Sequence, residues 1–138
     1  MRRLATIVLC ASGLAACTAN MAGPEPRNLR AENDLHQALA GKVAGRPVDC
    51  LPTYRSSDMQ VIDDNTILFR DGRRTYVQAP RGGCSPIGSG HYTLVTHSYG
   101  GSGLCRGDIA QVVDLQNGFT VGSCSLDEFV PFERPRRT

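Results

Sequence analysis

The sequence lacks the features that most readily assign a function. No stretch reaches the roughly 20 apolar residues that a transmembrane helix needs. The chain contains no internal repeat and no long low-complexity tract, so a repeat architecture is not expected. Charge of neither sign dominates, because 15 Lys and Arg residues oppose 13 Asp and Glu residues. The length of 138 residues then fits one ordinary domain.

The N-terminus has the form of a bacterial export signal. Arg2 and Arg3 are followed by an uncharged, mainly apolar run from Leu4 to Leu14, which is too short to span a membrane. The run ends in Leu14-Ala15-Ala16-Cys17, which resembles the lipoprotein signal, where a Leu and two small residues precede the lipidated Cys. We therefore predict a signal peptide over residues 1–16 and lipidation of Cys17. The alternative is an ordinary secreted protein, but no convincing Ala-x-Ala cleavage site follows the run.

Lipidation of Cys17 would anchor the protein to a membrane without crossing it, because two or more acyl chains give stable anchoring. The expected location is the bacterial cell envelope. Under the enterobacterial sorting rule, the absence of Asp at position 18 favours the outer membrane, with the domain facing the periplasm. Loss of Arg2 and Arg3 lowers the basic count from 15 to 13, equal to the acidic count, so no nucleic-acid partner is expected.

Export also changes how the six cysteines are counted. Cys10 would be removed with the signal, and Cys17 would carry the lipid. Four cysteines remain to form a disulfide framework: Cys50, Cys84, Cys105 and Cys124. Of the three possible connectivities, we favour Cys50–Cys124 with Cys84–Cys105. The first bond would link the chain's ends, and the second would brace the strand from His91 to His97. The main rival is Cys50–Cys84 with Cys105–Cys124.

Composition divides the exported chain into three parts. Residues 17–33 contain Gly and Pro without apolar periodicity, so we predict a flexible tether. Residues 34–133 form the predicted domain, and residues 134–138 form a basic tail that frays into solvent. A short helix opens the domain, with Asn33 or Asp34 as its cap. Its apolar positions at four-residue steps, and the glycine that stops it, are Leu35, Leu39, Val43 and Gly45.

The middle of the chain predicts a three-stranded β-meander. The strands are Met59–Asp63, Thr66–Arg70 and Arg73–Ala79, joined by Asp64-Asn65 and Asp71-Gly72 turns. With two residues in each turn, one face of the sheet carries Ile62, Ile67 and Tyr76. The other face carries Val61, Leu68 and Thr75. Both faces are partly apolar, so one should meet the core and the other needs a cover such as the N-terminal helix.

The C-terminal half carries the strongest hairpin signal, Asn117-Gly118, between Ile109–Leu115 and Phe119–Ser125. Strict pairing about this turn puts Val113 beside Gly122 and Gln111 beside Cys124. Phe129 and Phe132 are expected to pack against the core. The whole pattern predicts a mainly β fold, a small disulfide-braced antiparallel barrel or sandwich of about six or seven strands, preceded by one short helix.

The nearest approach to a metal site lies in one segment that contains Cys84, His91, His97 and Cys105. On a regular strand the two histidines would lie about 20 Å apart, too far for one zinc ion with ligands at about 2 Å. An oxidising compartment would also pair the thiols, which removes the free thiolate that a cysteine nucleophile needs. We therefore predict no metal site and no cofactor.

Three further motifs have simple structural explanations. Gly100–Gly103 lacks the second glycine of a nucleophile elbow, because residue 104 is Leu. Three aspartates lie in predicted turns, where Asp suits the backbone geometry: Asp63, Asp64 and Asp71. Arg106-Gly107-Asp108 matches an adhesion tripeptide, but Gly-Asp at the entrance to a strand explains it better. No catalytic residue is predicted, and the chain is not expected to be an enzyme.

A set of short motifs is similar to one known family. The motifs are Leu39-Ala40-Gly41-Lys42, Gly45-Arg46-Pro47-Val48-Asp49-Cys50-Leu51, Tyr76, Gly83-Cys84, Leu104-Cys105-Arg106-Gly107-Asp108, Gly122-Ser123-Cys124-Ser125-Leu126 and Phe129-Val130-Pro131. They resemble a family of small exported proteobacterial proteins of unknown function, many with lipoprotein features. The resemblance covers roughly Leu35 to Phe132, and the four cysteines are its most specific element. It implies a shared fold and an exported location, but no activity and no catalytic residue.

We expect a lipid-anchored, non-enzymatic envelope protein with a binding or structural role. Its expected partners are the membrane, through Cys17, and a protein of the envelope. The alternative is an inhibitor similar to periplasmic lysozyme or protease inhibitors, with the Gly-rich loop Tyr99–Gly103 as the inserting segment. A metal-binding protein or a hydrolase is the third and weakest hypothesis.

Overall fold

The computed structural model describes residues 27–51, 58–96 and 103–136. Within these ranges one helix precedes ten short strands, all paired antiparallel, and the sheets pack in a sandwich-like arrangement without closing into a barrel. The predicted mainly β fold with one short helix is confirmed, although the strands outnumber the six or seven expected. None of the described helices is long and apolar enough to cross a membrane.

The elements form three sheets. In chain order they are α1 (Leu29–Leu39), β1 (Val43–Ala44), β2 (Cys50–Leu51), β3 (Met59–Asp63), β4 (Thr66–Asp71), β5 (Arg74–Gln78), β6 (Tyr92–Thr96), β7 (Leu104–Cys105), β8 (Ile109–Asp114), β9 (Thr120–Ser125) and β10 (Phe129–Glu133). A five-stranded sheet has the order β1-β10-β5-β4-β3, and a three-stranded sheet has the order β6-β8-β9. The short strands β2 and β7 pair with each other.

The helix begins earlier than predicted. Asn28 is its cap, because the Asn28 Oδ1 accepts a hydrogen bond from the Ala31 N–H at 2.8 Å. The predicted caps Asn33 and Asp34 lie inside the helix. The helix also ends earlier, before Gly41, whose φ of 70° is unfavourable for other residues.

Residues 27–33, which the sequence assigns to the tether, therefore belong to the folded unit. Arg27 fixes the start of this segment to the β3–β4 turn. The Arg27 Nε lies 2.6 Å from an Asp63 carboxylate oxygen, and another guanidinium nitrogen donates to Thr66 Oγ1 at 2.7 Å. The hydrogen bonds to Asp63 and Glu32 raise the pKa of Arg27, which thus remains charged. The folded domain accordingly begins at or before Arg27 and not at Asp34.

Helix α1 covers one face of the five-stranded sheet, as the meander predicted. The residues of this smaller core are Ala31, Leu35 and Ala38 from the helix and Ile62, Leu68 and Val77 from the sheet. The opposite face of the sheet contributes Ile67, Phe69 and Tyr76 to the main core. The middle of β4 is therefore buried on both sides, which explains its apolar run Ile67-Leu68-Phe69.

The β3–β4 pairing differs from the predicted register because of a bulge. Asp63 pairs with Thr66, but the next pair is Val61 with Ile67, so Ile62 is the extra residue. Ile62 consequently packs on the helix side, and Val61 packs against the main core. The predicted register places each of these two side chains on the other face of the sheet.

The β8–β9 register is one residue away from the prediction. The connection is wider than two residues, because the Asp114 N–H donates to the Phe119 carbonyl oxygen at 2.9 Å, and a bulge between Val112 and Val113 then offsets the pairing by one residue. A slip of one residue exchanges the two faces of a strand. The observed pairs that face inward are Ala110 with Cys124 and Val112 with Gly122.

The disulfide connectivity is neither of the two predicted ones. The structure joins Cys50 to Cys105 and Cys84 to Cys124. Cys50 and Cys105 are directly opposite each other in the β2–β7 ladder, with Cα atoms 4.0 Å apart. The slip in the β8–β9 hairpin turns Cys124 inward, where it meets the fully buried Cys84. The prediction of two disulfide bonds is confirmed, and the predicted pairing is wrong.

Leu68 tests the two-sided burial of the sheet. It is fully buried between the sheet and α1, so Leu68→Ala should reduce the free energy of unfolding by about 3 kcal/mol through lost burial and a residual cavity. Urea unfolding monitored by circular dichroism measures this change. Leu115→Ala is the matched control, because Leu115 is 64% exposed and should change stability by less than about 0.5 kcal/mol. Equal effects of the two substitutions would contradict the packing of α1 on the sheet.

Candidate anion-binding groove

The residues considered for metal or thiol chemistry are not brought together. Cys84 and Cys105 belong to different disulfides. His91 immediately precedes β6, and His97 lies outside the described residues. The described ranges contain no group of three or more His, Cys, Asp or Glu side chains suited to a metal ion. Cys17 and most of the Gly-rich loop, residues 99–102, also lie outside the described ranges.

Two of the three aspartates in the predicted turns, Asp63 and Asp64, accept hydrogen bonds from backbone N–H groups. Asp63 Oδ1 accepts from the Asn65 N–H at 2.8 Å, and Asp64 Oδ1 accepts from the Gly88 N–H at 2.6 Å. Asp108 Oδ2 accepts from the backbone N–H of Cys105 at 2.7 Å, just before β8 begins. These contacts give Asp63, Asp64 and Asp108 structural roles.

One group of charges joins the sheets near the start of β10. The Asp127 carboxylate accepts two hydrogen bonds from Arg81, at 3.0 and 3.3 Å, and lies 3.2 Å from the Arg106 Nε. The hydrogen bond from Arg81, followed by that from the Glu128 N–H, holds the pKa of Asp127 below its ordinary value. Because carboxylates neutralise both arginines, this cluster is a structural junction and not a binding surface.

A different distribution of charge occurs at the other end of the five-stranded sheet, where an open groove of 1110 Å³ is present. Its lining is predominantly cationic. The basic lining residues are Lys42, Arg73, Arg74, Arg134 and Arg136, and the acidic ones are Asp71 and Glu133. The groove therefore carries a formal excess of three positive charges, although the exported chain as a whole is expected to be nearly neutral.

Three separate parts of the chain form this groove. Lys42 follows α1, and Arg73 lies in the β4–β5 turn, where Gly72 has a φ of 56°. Arg74 begins β5 directly opposite Glu133 at the end of β10. Arg134 follows β10 immediately, so the sheet order β1-β10-β5 brings these cations together.

Lys42 is held in a fixed position in the groove. Its Nζ donates to the Ala38 carbonyl oxygen near the end of α1 at 2.8 Å and to Thr75 Oγ1 at 2.6 Å. Partial burial, followed by repulsion from Arg70 and Arg134, lowers the pKa of Lys42. An anion bound beside Lys42 would reduce this repulsion.

Several groove cations form no ion pair in the part of the chain that the structure describes. Arg74 Nε forms an ion pair with Glu133 at 3.0 Å. In the described part of the chain, Arg73, Arg134 and Arg136 form no ion pair with an acidic residue. Exposed guanidinium groups are suited to carboxylate or phosphate oxygens, which they can bind through two parallel hydrogen bonds.

The groove opens away from the point where the N-terminal segment joins the sheet. Arg27 contacts Thr66 at the start of β4, whereas Asp71 at the end of β4 lines the groove. Strand β4 has six residues, so its two ends lie about 17 Å apart. The entry of the N-terminal segment and the groove thus lie at opposite ends of the sheet.

Sequence reasoning found no part of this groove. It treated residues 134–138 as a tail fraying into solvent, whereas Arg134 and Arg136 line the groove together with Lys42. The only signal was the local concentration of arginines after residue 133. These arginines lie beside the β4–β5 turn because β10 is a strand. The sequence analysis did not predict that strand.

Comparison with known proteins finds no matching family model, no matching curated protein and no matching solved structure. A function must therefore be inferred from the chemistry of this chain. Among the described residues, the groove offers a formal excess of three positive charges.

Proposed function

We propose that this chain is a lipid-anchored, non-enzymatic protein of the bacterial cell envelope that binds an anionic partner through the basic groove. The observation that carries the binding part is a group of cations around the fixed Lys42 that form no ion pair with any described residue, Arg73, Arg134 and Arg136. Keeping like charges close together costs stability, and a bound anion would recover that cost.

The anchoring part of the proposal is supported by the sequence before Arg27. An apolar run ends in Leu14-Ala15-Ala16-Cys17, and two disulfide bonds are suited to an oxidising compartment. The N-terminal segment joins the sheet at the end opposite the groove. An anchor at Cys17 would consequently leave the groove accessible from the side away from the membrane.

Binding fits the groove better than catalysis does. Its described lining consists of charged residues with Val43, Gly72 and Pro135, and it contains no Ser, Cys or His. A nucleophile beside a general base, the usual arrangement for acyl transfer, is therefore not found among the lining residues. The arginines can recognise and orient an anion without reacting with it.

Fatty-acid labelling tests the anchor. In bacteria supplied with an alkyne-bearing palmitate, the full chain should become labelled and sediment with membranes, because Cys17 would receive acyl chains. Cys17→Ser should remove the label. Cys10→Ser is the matched control, since Cys10 lies inside the predicted signal, and this variant should be labelled like the original chain. Labelling that survives Cys17→Ser, or an unlabelled original chain, would contradict the anchoring part.

Cation-exchange chromatography in non-ionic detergent tests the groove. The lipidated chain should be retained on a sulfonate matrix despite its balanced charge, because the matrix contacts the groove. Arg134→Gln should elute at lower salt than Arg30→Gln, although both substitutions remove one positive charge. Arg30 is the matched control because it is an exposed helix residue outside the groove. Identical elution of the two variants would refute a dominant role of the groove.

A further inference from the structure

We propose that the turn of the β8–β9 hairpin is a second membrane contact, where Leu115 and Phe119 enter the interface of the bilayer that holds the lipid on Cys17. Residues 115–121 form this hairpin tip. The inference rests on the lipid anchor of the proposed function and is independent of the basic groove. Two features lead to it, the exposed apolar surface of the tip and the position of the tip near the segment that leads to the anchor.

The hairpin tip exposes large apolar side chains. Phe119 is 70% exposed and Leu115 is 64% exposed, and Val121, two residues after Phe119, is also exposed. Moving such side chains into an apolar medium is favourable, roughly in proportion to the area removed from water. Apolar groups that are clustered on a surface, in contrast to scattered ones, mark a contact with a partner or a membrane. The tip is therefore a candidate contact surface.

The tip is also free of charged side chains. Asp114 is the single charged residue between positions 109 and 126, although 20% of the residues in the whole chain are charged. The turn itself binds the Asp114 carboxylate, since Oδ1 accepts from the Gln116 N–H at 2.7 Å and Oδ2 accepts from the Asn117 side-chain amide at 3.2 Å. Moving a charge from water toward hydrocarbon is costly. An uncharged tip can approach a bilayer without that cost.

The backbone of the turn forms hydrogen bonds within the hairpin. The Asp114 N–H donates to the Phe119 carbonyl oxygen, and the Gly118 N–H donates to the Asp114 carbonyl oxygen, both at 2.9 Å. The Phe119 N–H donates to Asn117 Oδ1, also at 2.9 Å. Backbone groups that enter a bilayer must be satisfied internally, because the hydrocarbon offers no partner. The turn meets much of this requirement before it contacts lipid.

A short series of contacts joins the tip to the place where the N-terminal segment arrives. The Leu115 N–H donates to the His91 carbonyl oxygen at 3.1 Å. Three residues before His91, the Gly88 N–H donates to Asp64 Oδ1 at 2.6 Å. The residue before Asp64 binds the Arg27 Nε through its carboxylate, also at 2.6 Å. Residues 88–91 thus connect the β3–β4 turn, where Arg27 is bound, to the tip over at most about 11 Å.

The length of chain before Arg27 makes the bilayer the expected occupant. Ten steps along the chain separate Cys17 from Arg27, and they span at most about 36 Å. A domain anchored at Cys17 therefore stays close to the membrane, with the hairpin tip near the point where the anchoring segment arrives. An apolar contact added to the acyl chains strengthens anchoring. It also fixes which end of the domain faces the bilayer.

Tryptophan fluorescence on vesicles tests the inference. The chain contains no Trp, so Phe119→Trp provides a single reporter at the tip. The lipidated full chain is inserted into phosphatidylcholine vesicles with or without bromine on the acyl chains, because bromine quenches Trp on contact. We expect the brominated lipid to quench Phe119→Trp and the emission to lie at short wavelength. Ile109→Trp is the matched control and should not be quenched, since Ile109 is also exposed but begins β8, about 17 Å from the other end of that strand.

A charge at the tip gives a second test. Leu115→Asp, added to Phe119→Trp, should abolish the quenching, because a carboxylate is costly to move toward hydrocarbon. Ile109→Asp, added to the same reporter, should retain it. Both positions are exposed, so circular dichroism should show the same fold for the two variants. Quenching that survives Leu115→Asp would contradict insertion of the tip.

Other results overturn the inference in distinguishable ways. Unquenched, solvent-like emission from Phe119→Trp, in a chain that sediments with the vesicles, overturns this inference alone and leaves the lipid anchor intact. Short-wavelength emission without quenching overturns it because protein would then cover the tip, either residues 17–26 or a second copy of the chain. Equal quenching of Ile109→Trp overturns it because the domain would then contact the bilayer without preference for the tip. A chain that takes up no palmitate label overturns the anchor, and this inference with it.

Discussion

Phe129 enters the main core at the start of β10, and its N–H and C=O each form a 2.9 Å hydrogen bond with Val48. Its ring packs edge-on against Phe69, with centroids 5.9 Å apart. These contacts fix β10 between β1 and β5, and the remaining architecture depends on that position. Without β10, the edge strand β1 would lose its only partner among the described strands, and the groove would lose one wall.

The position of β10 also separates two kinds of charge. Just before the strand, Asp127 neutralises Arg81 and Arg106 and joins the ends of several strands. Just after it, Arg134 lies near Lys42 and forms no ion pair with a described carboxylate. Strand β10 thus begins beside a cluster of paired charges and ends beside a groove with an excess of positive charge. This contrast is the physical basis for assigning binding to the groove.

Local sequence signals predicted the elements better than their contacts. The β-meander and its helical cover follow from turn residues and two apolar faces, and both are present. The bulge at Ile62 and the bulge between Val112 and Val113 each changed a register, and the second change also redirected Cys124 toward Cys84. The groove was not predictable in this way, because Lys42 and Arg134 meet only through long-range strand order.

The most direct test of the central claim, that β10 completes an anion-binding groove, is the titration of Lys42, the only lysine in the chain. Reductive ¹³C-methylation would give its amine a resolved NMR signal, to be titrated with and without saturating poly-L-glutamate. The account predicts a pKa below the ordinary 10.5 in the free protein and a higher pKa in the complex, because neighbouring carboxylates favour the charged amine. The same pKa for Lys42 in both titrations would contradict the account.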